Sequence, residues 1–509
     1  MIPPNPAARI HLIGVAGTAM GALAGLLQEA GYRVTGSDAE IYPPVSTLLE
    51  QLRIPVSSEF RASNLAPAPD LVVIGNALSR GNAEVEAVLD SKLPYASLPE
   101  VLRELFLRGR ETIVVAGTHG KTTVTSILAW IFHSAGLDPG FLIGGLPLNF
   151  PQSFSRGSGR YFILEGDEYD TAFFDKGPKF LHYRPDAAVL TSVEFDHADI
   201  YRDLAAVETA FRRLVNLVPR RGFIAAYAEA AAVRRCLERA FCVVETFGLT
   251  QGDWQARDIR TNQSRDREGA VVLDPSRARE QAVSCQEPTT EFTVIYRGKE
   301  LGDLRANLFG EHNVLNLLAA VAIASRYEIP WDKVASAVET FQGVRRRMEV
   351  VGEAADIAVV DYFAHHPTAI RETLRAARAR FPGQRIWAVL EPRSNTLVRK
   401  VFENELAEVL ALADQVVLAD VHRKGRLAES ERLDPEKLVA SLRARGVPAR
   451  FYADPAAIVE ALAPELRPGD VAVIMSNGGF GGIHRKLLAA LASREFAPAA
   501  AAIQSEPRA

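Results

Sequence analysis

The sequence is poor in cysteine, has no excess of basic charge and lacks any long apolar run, and each shortage removes a class of function. Its 509 residues include three cysteines, Cys236, Cys242 and Cys285. These are too few and too irregularly spaced for a zinc site or a disulfide scaffold, so a reducing, cytoplasmic compartment is expected. The formal net charge of −4 offers no electrostatic footprint for nucleic acid or an anionic membrane. No apolar stretch is long enough to span a bilayer, and the opening residues pass into a strand-like run without the pattern of a secretory leader. No repeat of fixed period is present. No nucleic-acid partner and no membrane insertion are therefore expected.

What is present is length and alternation. A chain of 509 residues exceeds what one core serves, so several domains are expected. Short β-branched runs alternate with amphipathic stretches almost throughout, the pattern of α/β folds with parallel sheets. A first block contains RIHLIG, YRVTGSD and LVVIGNALS. A second opens with ETIVVAG and continues through YFILEGDE and DAAVLTSVEFDH. A third has IAVVDY, RIWAVLE, QVVLAD, ARFYA and VAVIMS. The expected bounds are 1–108, 109–344 and 345–490, with a polar surface insertion near 252–288 and a disordered Ala/Pro-rich tail at 491–509.

The strongest local signal is Ala116-Gly117-Thr118-His119-Gly120-Lys121-Thr122-Thr123, set between an apolar strand and the helix-like TTVTSILAWIFHSAG. In that setting glycines let backbone N–H groups face phosphate oxygens at a helix N-terminus. Lys121 can reach the β- and γ-phosphates, and the Thr122 hydroxyl can ligate Mg²⁺. The loop departs from the common pattern at Val115, where a glycine is usual.

In an open parallel sheet, ligands sit beyond the carboxyl ends of the strands. The strand YFIL delivers Glu165, then Asp167 and Glu168, and AAVLTSV delivers Glu194, then Asp196 and His197. Beside a triphosphate, a carboxylate and an imidazole suit the Mg²⁺ of phosphoryl transfer. Glu165 and His197 are the expected metal residues with Thr122; Asp167, Glu168 and Glu194 read as solvated loop acids.

Taken in order, the G-T-H-G-K-T-T loop, the acidic strand end and the downstream Asp196-His197 resemble the Mur ligases, and the resemblance extends from Arg9 to about Ala490. It implies three domains: a Rossmann-like N-terminal domain, a central P-loop ATPase-like parallel sheet and a Rossmann-like C-terminal domain. Gly310-Glu311-His312-Asn313-Val314-Leu315-Asn316 looks like the family's adenine-contacting segment, so His312, Asn313 and Asn316 join the expected nucleotide site. Arg346-Arg347-Met348-Glu349 resembles the element at the last domain's junction, where Arg347 belongs near the nucleotide. Gly14, Gly17 and Thr18, with Ser37 and Asp38, would hold the diphosphate of a UDP-linked sugar. Arg393 with Ser394 and Asn395, together with His365, would contact the other substrates.

Two departures stand out. The family's acid before the aromatic of its [YF]-[AG]-H-H-P element is Tyr362 here, with Asp361 one residue earlier as the candidate replacement. The segment AAVETAFRRLV lacks the lysine that several members carbamylate.

The resemblance implies an ATP- and Mg²⁺-dependent ligase that activates a carboxylate as an acyl phosphate, with Lys121, Glu165, His197, Arg347 and Asp361 as catalytic residues. Segments such as Tyr42-Pro43-Pro44-Val45 and Glu391-Pro392-Arg393-Ser394-Asn395-Thr396 resemble the branch that adds a preformed cell-wall tripeptide to UDP-N-acetylmuramate. The alternative is the branch adding L-alanine. A monomer or weak dimer is expected. Two other classes fit less of the chain. A nicotinamide-dependent oxidoreductase would leave the Lys121 loop unexplained, and its Gly14-x-x-Gly17 spacing is incomplete. A non-catalytic nucleotide-binding protein rests on Tyr362 alone.

Overall fold

Each of the three blocks folds into its own sheet, because its apolar runs are buried on both faces by the helices between them. The computed structural model describes residues 5, 7–262, 289–363, 366–422 and 427–495. In the first sheet, β1 (Arg9–Ile13), β2 (Arg33–Ser37), β3 (Val56–Ser57), β4 (Leu71–Ile74) and β5 (Tyr95–Ser97) are parallel in the order β3-β2-β1-β4-β5. The helix Thr18–Glu29 follows β1 and buries Met20 through Leu27.

The second sheet comprises β6 (Glu111–Ala116), β7 (Gly140–Leu142), β8 (Phe154–Ser155), β9 (Tyr161–Gly166), β12 (Ala187–Leu190), β13 (Phe223–Tyr227), β14 (Val243–Gly248), β15 (Trp254–Asn262), β16 (Thr289–Tyr296) and β17 (Lys299–Ala306). Its order is β17-β16-β15-β14-β13-β12-β6-β9-β7-β8, so β6 lies between β9 and β12. A separate hairpin of β10 (Asp170–Ala172) and β11 (Asp175–Pro178) leaves the end of β9.

These two sheets form one compact unit. They meet where the Phe154 ring lies on the backbone of Gly25, with no room for a Cβ. Gly25→Ala is therefore expected to lower stability by about 1–3 kcal/mol, because the buried ring cannot retreat. Urea unfolding followed by tryptophan fluorescence checks this, and an unchanged midpoint would refute it.

The second unit holds β18 (Arg347–Ala354), β19 (Ile357–Tyr362), β20 (Ile386–Leu390), β21 (Gln415–Ala419), β22 (Ala449–Tyr452) and β23 (Val471–Met475), in the order β18-β19-β23-β20-β21-β22. Among the described residues all its strand pairings are parallel except β18 with β19.

Two expectations about peripheral segments change. Residues 254–262, assigned to the polar insertion, form β15, because Trp254 and Ala256 alternate into the core while polar neighbours face out. Residues 263–288 lie outside the described residues. The helix Ile483–Glu495 runs into the expected tail, since Leu487 and Leu491 stack one turn apart in the core. No helix among the described residues is long and apolar enough to cross a membrane.

Candidate active site

In the first domain the turn after β1 carries Gly14 with φ +84°, a conformation that glycine adopts without a Cβ penalty. Gly14 N and Val15 N both donate to the Ser37 carbonyl, at 2.8 and 3.2 Å, and Ala16 N donates to Asp38 Oδ2 at 2.9 Å. Asp38 thus shapes the turn. Gly17 and Thr18 are exposed at the start of the helix Thr18–Glu29, where the first amides have no partner within the helix. The Ser37 side chain is a correction to its expected substrate contact. It is fully buried and its hydroxyl donates to Glu84, which also accepts from Asn64 and Arg61 N. What Ser37 offers the turn is its carbonyl.

The phosphate loop follows β6. Gly117 (φ +140°) and Gly120 (φ +80°) both need left-handed backbone, and a Cβ on Gly120 would lie 2.5 Å from Asn316 Oδ1. The loop is fastened to the residues after β12. Thr118 N donates to Ser192 O at 3.1 Å, His119 N to Ser192 Oγ at 2.9 Å, and Glu194 N to Thr118 Oγ1 at 2.9 Å. The Thr191 hydroxyl donates to the His119 carbonyl. Thr118 and His119, expected as direct nucleotide contacts, thereby hold the loop's shape with these bonds. The helix Lys121–Ser134 starts at the lysine, and Thr122 and Thr123 are buried in its first turn. Asn316 Nδ2 donates to Asn313 Oδ1 at 3.1 Å, so the two amides form one buried pair over the loop. His312 opens the same helix, Glu311–Arg326.

Because β6 lies between β9 and β12, the ends of all three strands converge. Glu165 accepts from the Thr122 hydroxyl at 3.1 Å and from Gly144 N at 2.6 Å. Lys121 Nζ donates to Gly117 O at 2.7 Å and to Glu168 Oε2 at 3.1 Å, and lies 4.0 Å from Asp167 Oδ1. Glu168 Oε1 is in turn 3.2 Å from His197 Nε2. Glu168 is only 2% exposed, so this acid, read from the sequence as solvated, bridges the Lys121 ammonium and the His197 imidazole. Nothing in G-D-E-Y distinguishes it from Asp167; only the return of His197 after β12 does.

Burial alone would raise the Glu168 pKa, but Lys121 and the His197 bond outweigh it and hold the carboxyl well below its usual range. Burial would likewise lower the pKa of His197 and Lys121, yet Glu168 raises both. Glu168 raises the His197 pKa, whereas a metal-bound His197 would be neutral, so a cation there would compete with protonation of the ring. The backbone of His197 sits at φ +54°, with Ile200 N and Tyr201 N donating to its carbonyl, and Tyr201 Oη donates to Glu168 O at 2.7 Å. The hydroxyl and carboxylate oxygens of Thr122 and Glu165 are a donor set suited to a hard divalent cation.

In the second unit the second arginine of the junction, Arg347, lies over the rings of Tyr362 and Phe363 at 5.7 and 5.5 Å. Its neighbour Arg346 makes the deeper contacts: Nε donates to Asp361 Oδ2 at 3.0 Å, and Nη2 donates to the Ser476 and Gly478 carbonyls at 2.7 and 2.8 Å. Asp361 is also 3.3 Å from His484 Nε2. One oxygen of the Asp361 carboxylate thus holds Arg346, and a side chain on the neighbouring residue would face the other side of β19. Arg393 lies 3.6 Å from Glu391 and flat on Gly478, with no room for a Cβ there, while Ser476 Oγ donates to Glu391 at 2.5 Å. Ser394 Oγ caps Leu397 N at 3.0 Å, and Asn395 is exposed. His365 lies outside the described residues, and its neighbour His366 caps the helix Pro367–Arg380 by accepting from Thr368 N.

Three family descriptions match in succession: "Mur ligase family, catalytic domain" over residues 9–110, "Mur ligase middle domain" over 115–324, and "Mur ligase, glutamate ligase domain" over 346–478. The UDP-N-acetylmuramate–L-alanyl-γ-D-glutamyl-meso-2,6-diaminoheptandioate ligase of Escherichia coli (strain K12) is 41% identical over 96% of this chain and 99% of its own. A crystal structure of a murein peptide ligase from Psychrobacter arcticus matches at 37% identity and TM-score 0.70, covering 96% and 99% of the two chains. The UDP-N-acetylmuramate–alanine ligase of Thermotoga maritima matches at TM-score 0.77 but 23% identity, covering 96% and 100%, a likeness of fold alone.

Proposed function

The chain belongs to the Mur ligase family, and from that premise we infer that it joins UDP-N-acetylmuramate to L-alanyl-γ-D-glutamyl-meso-diaminopimelate, consuming ATP, in peptidoglycan recycling. One observation carries this reading: 41% identity along essentially the whole length of a ligase named for that substrate pair. The reaction belongs in the cytoplasm, where ATP is supplied.

A carboxylate does not condense with an amine in water without activation. The lactyl carboxylate oxygen attacks the γ-phosphorus of ATP, the bond to the β–γ bridging oxygen breaks, and ADP leaves. The α-amine of the tripeptide then attacks the acyl phosphate carbonyl. Phosphate departs with the C–O bonding pair, and the amine gives up a proton as the amide forms. Lys121 offsets charge on the transferring phosphoryl group. Mg²⁺, when bound, would neutralise charge on the triphosphate; Thr122, Glu165 and His197 would hold it, with Glu168 beside them. The Gly14–Thr18 turn receives the diphosphate at its open helix start. Asn313 and Asn316 present amide donors and acceptors to the adenine edge.

Arg393 is the residue assigned to a carboxylate of the incoming peptide, because a guanidinium grips both oxygens at once. Arg393→Ala is expected to raise KM for the tripeptide about ten- to a hundredfold, the value of one charge-assisted contact, with KM for ATP unchanged. Gly478→Ala should act in the same direction more weakly, since its Cβ would displace that guanidinium. Equal KM for the tripeptide in wild type and Arg393→Ala would remove Arg393 from the site.

The deciding assay is phosphate release with ATP, Mg²⁺ and UDP-N-acetylmuramate, offering either L-alanine or the tripeptide. Turnover with the tripeptide and not with alanine is expected. Turnover with alanine alone would overturn the acceptor, and silence with both would overturn the ligase reading.

A further inference from the structure

Lys121 shares the acid cluster with a second ammonium group. Lys179 Nζ lies 3.9 Å from Asp167 Oδ2, while Lys121 faces the other oxygen of the same carboxylate at 4.0 Å. The Lys179 side chain is 12% exposed, and its ammonium is 5.5 Å from the centre of the Tyr169 ring, which packs on the His197 imidazole at 4.0 Å. Lys179 N donates to Tyr169 O at 3.0 Å, and the neighbouring Phe180 is fully buried, so the stem of the lysine starts from a fixed point.

We propose that Lys179 binds the lactyl carboxylate of UDP-N-acetylmuramate, a specificity role that rests on the proposed function. The chemistry gives such a group a purpose. The first step brings a carboxylate against a triphosphate, both anionic, while Lys121 is engaged by Gly117 O and Glu168. Lys179 meets Asp167 beyond hydrogen-bonding distance, so the pairing is Coulombic and leaves its N–H donors to a ligand.

The topology supplies the direction. Between the acids and Lys179 the chain makes the β10–β11 hairpin, whose tip, Phe173-Phe174, packs onto the first-domain cluster of Ile13, Val72 and Ile74. Phe174 also meets the Tyr95 ring edge-on at 5.0 Å. Leu78, packed against the same cluster, approaches within 3.3 Å of where a Cβ on Gly14 would stand. One strap therefore ties the turn assigned to the diphosphate to the acid cluster, with Lys179 at its inner end.

The test is calorimetric binding of UDP-N-acetylmuramate and of UDP-N-acetylglucosamine, which lacks the lactyl carboxylate, to wild type, Lys179→Met and Lys179→Arg. Wild type should favour the muramate. Lys179→Met should weaken muramate binding about ten- to a hundredfold, the value of a charge-assisted contact, and leave glucosamine binding unchanged, with Lys179→Arg in between. Equal losses for both sugars, or none for either, would overturn the proposal while leaving the ligase reading intact. A wild type that does not distinguish the two sugars would overturn both.

Discussion

Lys121→Met lowers tripeptide-dependent phosphate release at saturating substrates by about a thousandfold or more, the scale on which a cation aimed at a transferring phosphoryl group acts. The expectation rests on position. Lys121 opens the helix after the phosphate loop, and its ammonium is surrounded by Gly117 O, Glu168 and Asp167. The loop itself is held by Ser192 and Thr191, so the backbone cradle survives loss of the lysine. The deficit should therefore fall on kcat far more than on nucleotide affinity, since the charge it stabilises grows in the transition state. Displacement of a fluorescent ATP analogue, run beside the turnover assay, separates the two. A variant that keeps its kcat and loses only ATP affinity would mean that Lys121 is a binding residue alone.

Glu168→Gln is expected to cost both stability and activity. The carboxylate is buried between Lys121 and His197, and removing one partner of a buried ion pair leaves uncompensated charge, at a cost of about 3–5 kcal/mol. Glutamine keeps the shape and one acceptor but cannot neutralise the Lys121 ammonium. Phosphate release should fall at least about a hundredfold as Lys121 and His197 lose their common anchor. Because the Glu168 carboxyl is held below its usual range, its stabilising contribution is present above the ordinary glutamate pKa of about 4.3 and declines as the pH falls below it. The stability gap between wild type and Glu168→Gln should narrow accordingly on acidification, as urea unfolding at several pH values would record. Glu194→Gln is the matched control, since that side chain is 35% exposed and its replacement should change stability little. Equal stability of wild type and Glu168→Gln near neutral pH would remove Glu168 from the centre of the site.

The phosphate loop was legible because its chemistry is local. A glycine-rich turn, a lysine and a helix start lie within eight residues, and each is recognisable without knowing what packs against it. Glu165 and His197 were legible one step less directly, from the rule that parallel strands present ligands at their carboxyl ends. Glu168 was read as solvated because an acid beyond a strand end usually is, and its two partners stand 47 and 29 residues away. Ser37 failed in the opposite sense: it ends a strand beside a glycine turn, yet Glu84, 47 residues on, takes its hydroxyl into the core. Asp361 reads as a displaced catalytic acid, and only the structure shows that it accepts from Arg346 and lies 3.3 Å from His484.

By itself the sequence determined the three α/β blocks, the strands that run through them and the loop that cradles phosphate. Those features depend on periodicity and turn chemistry within a few residues. Only the tertiary structure decided which acid holds the lysine, that Ser192 shapes the loop, and that the Phe173-Phe174 hairpin links Lys179 to the first domain. The physical reason is the sheet order. With β6 between β9 and β12, residues distant in the chain meet at one edge, and the partner of a buried charge is set by which strands are neighbours.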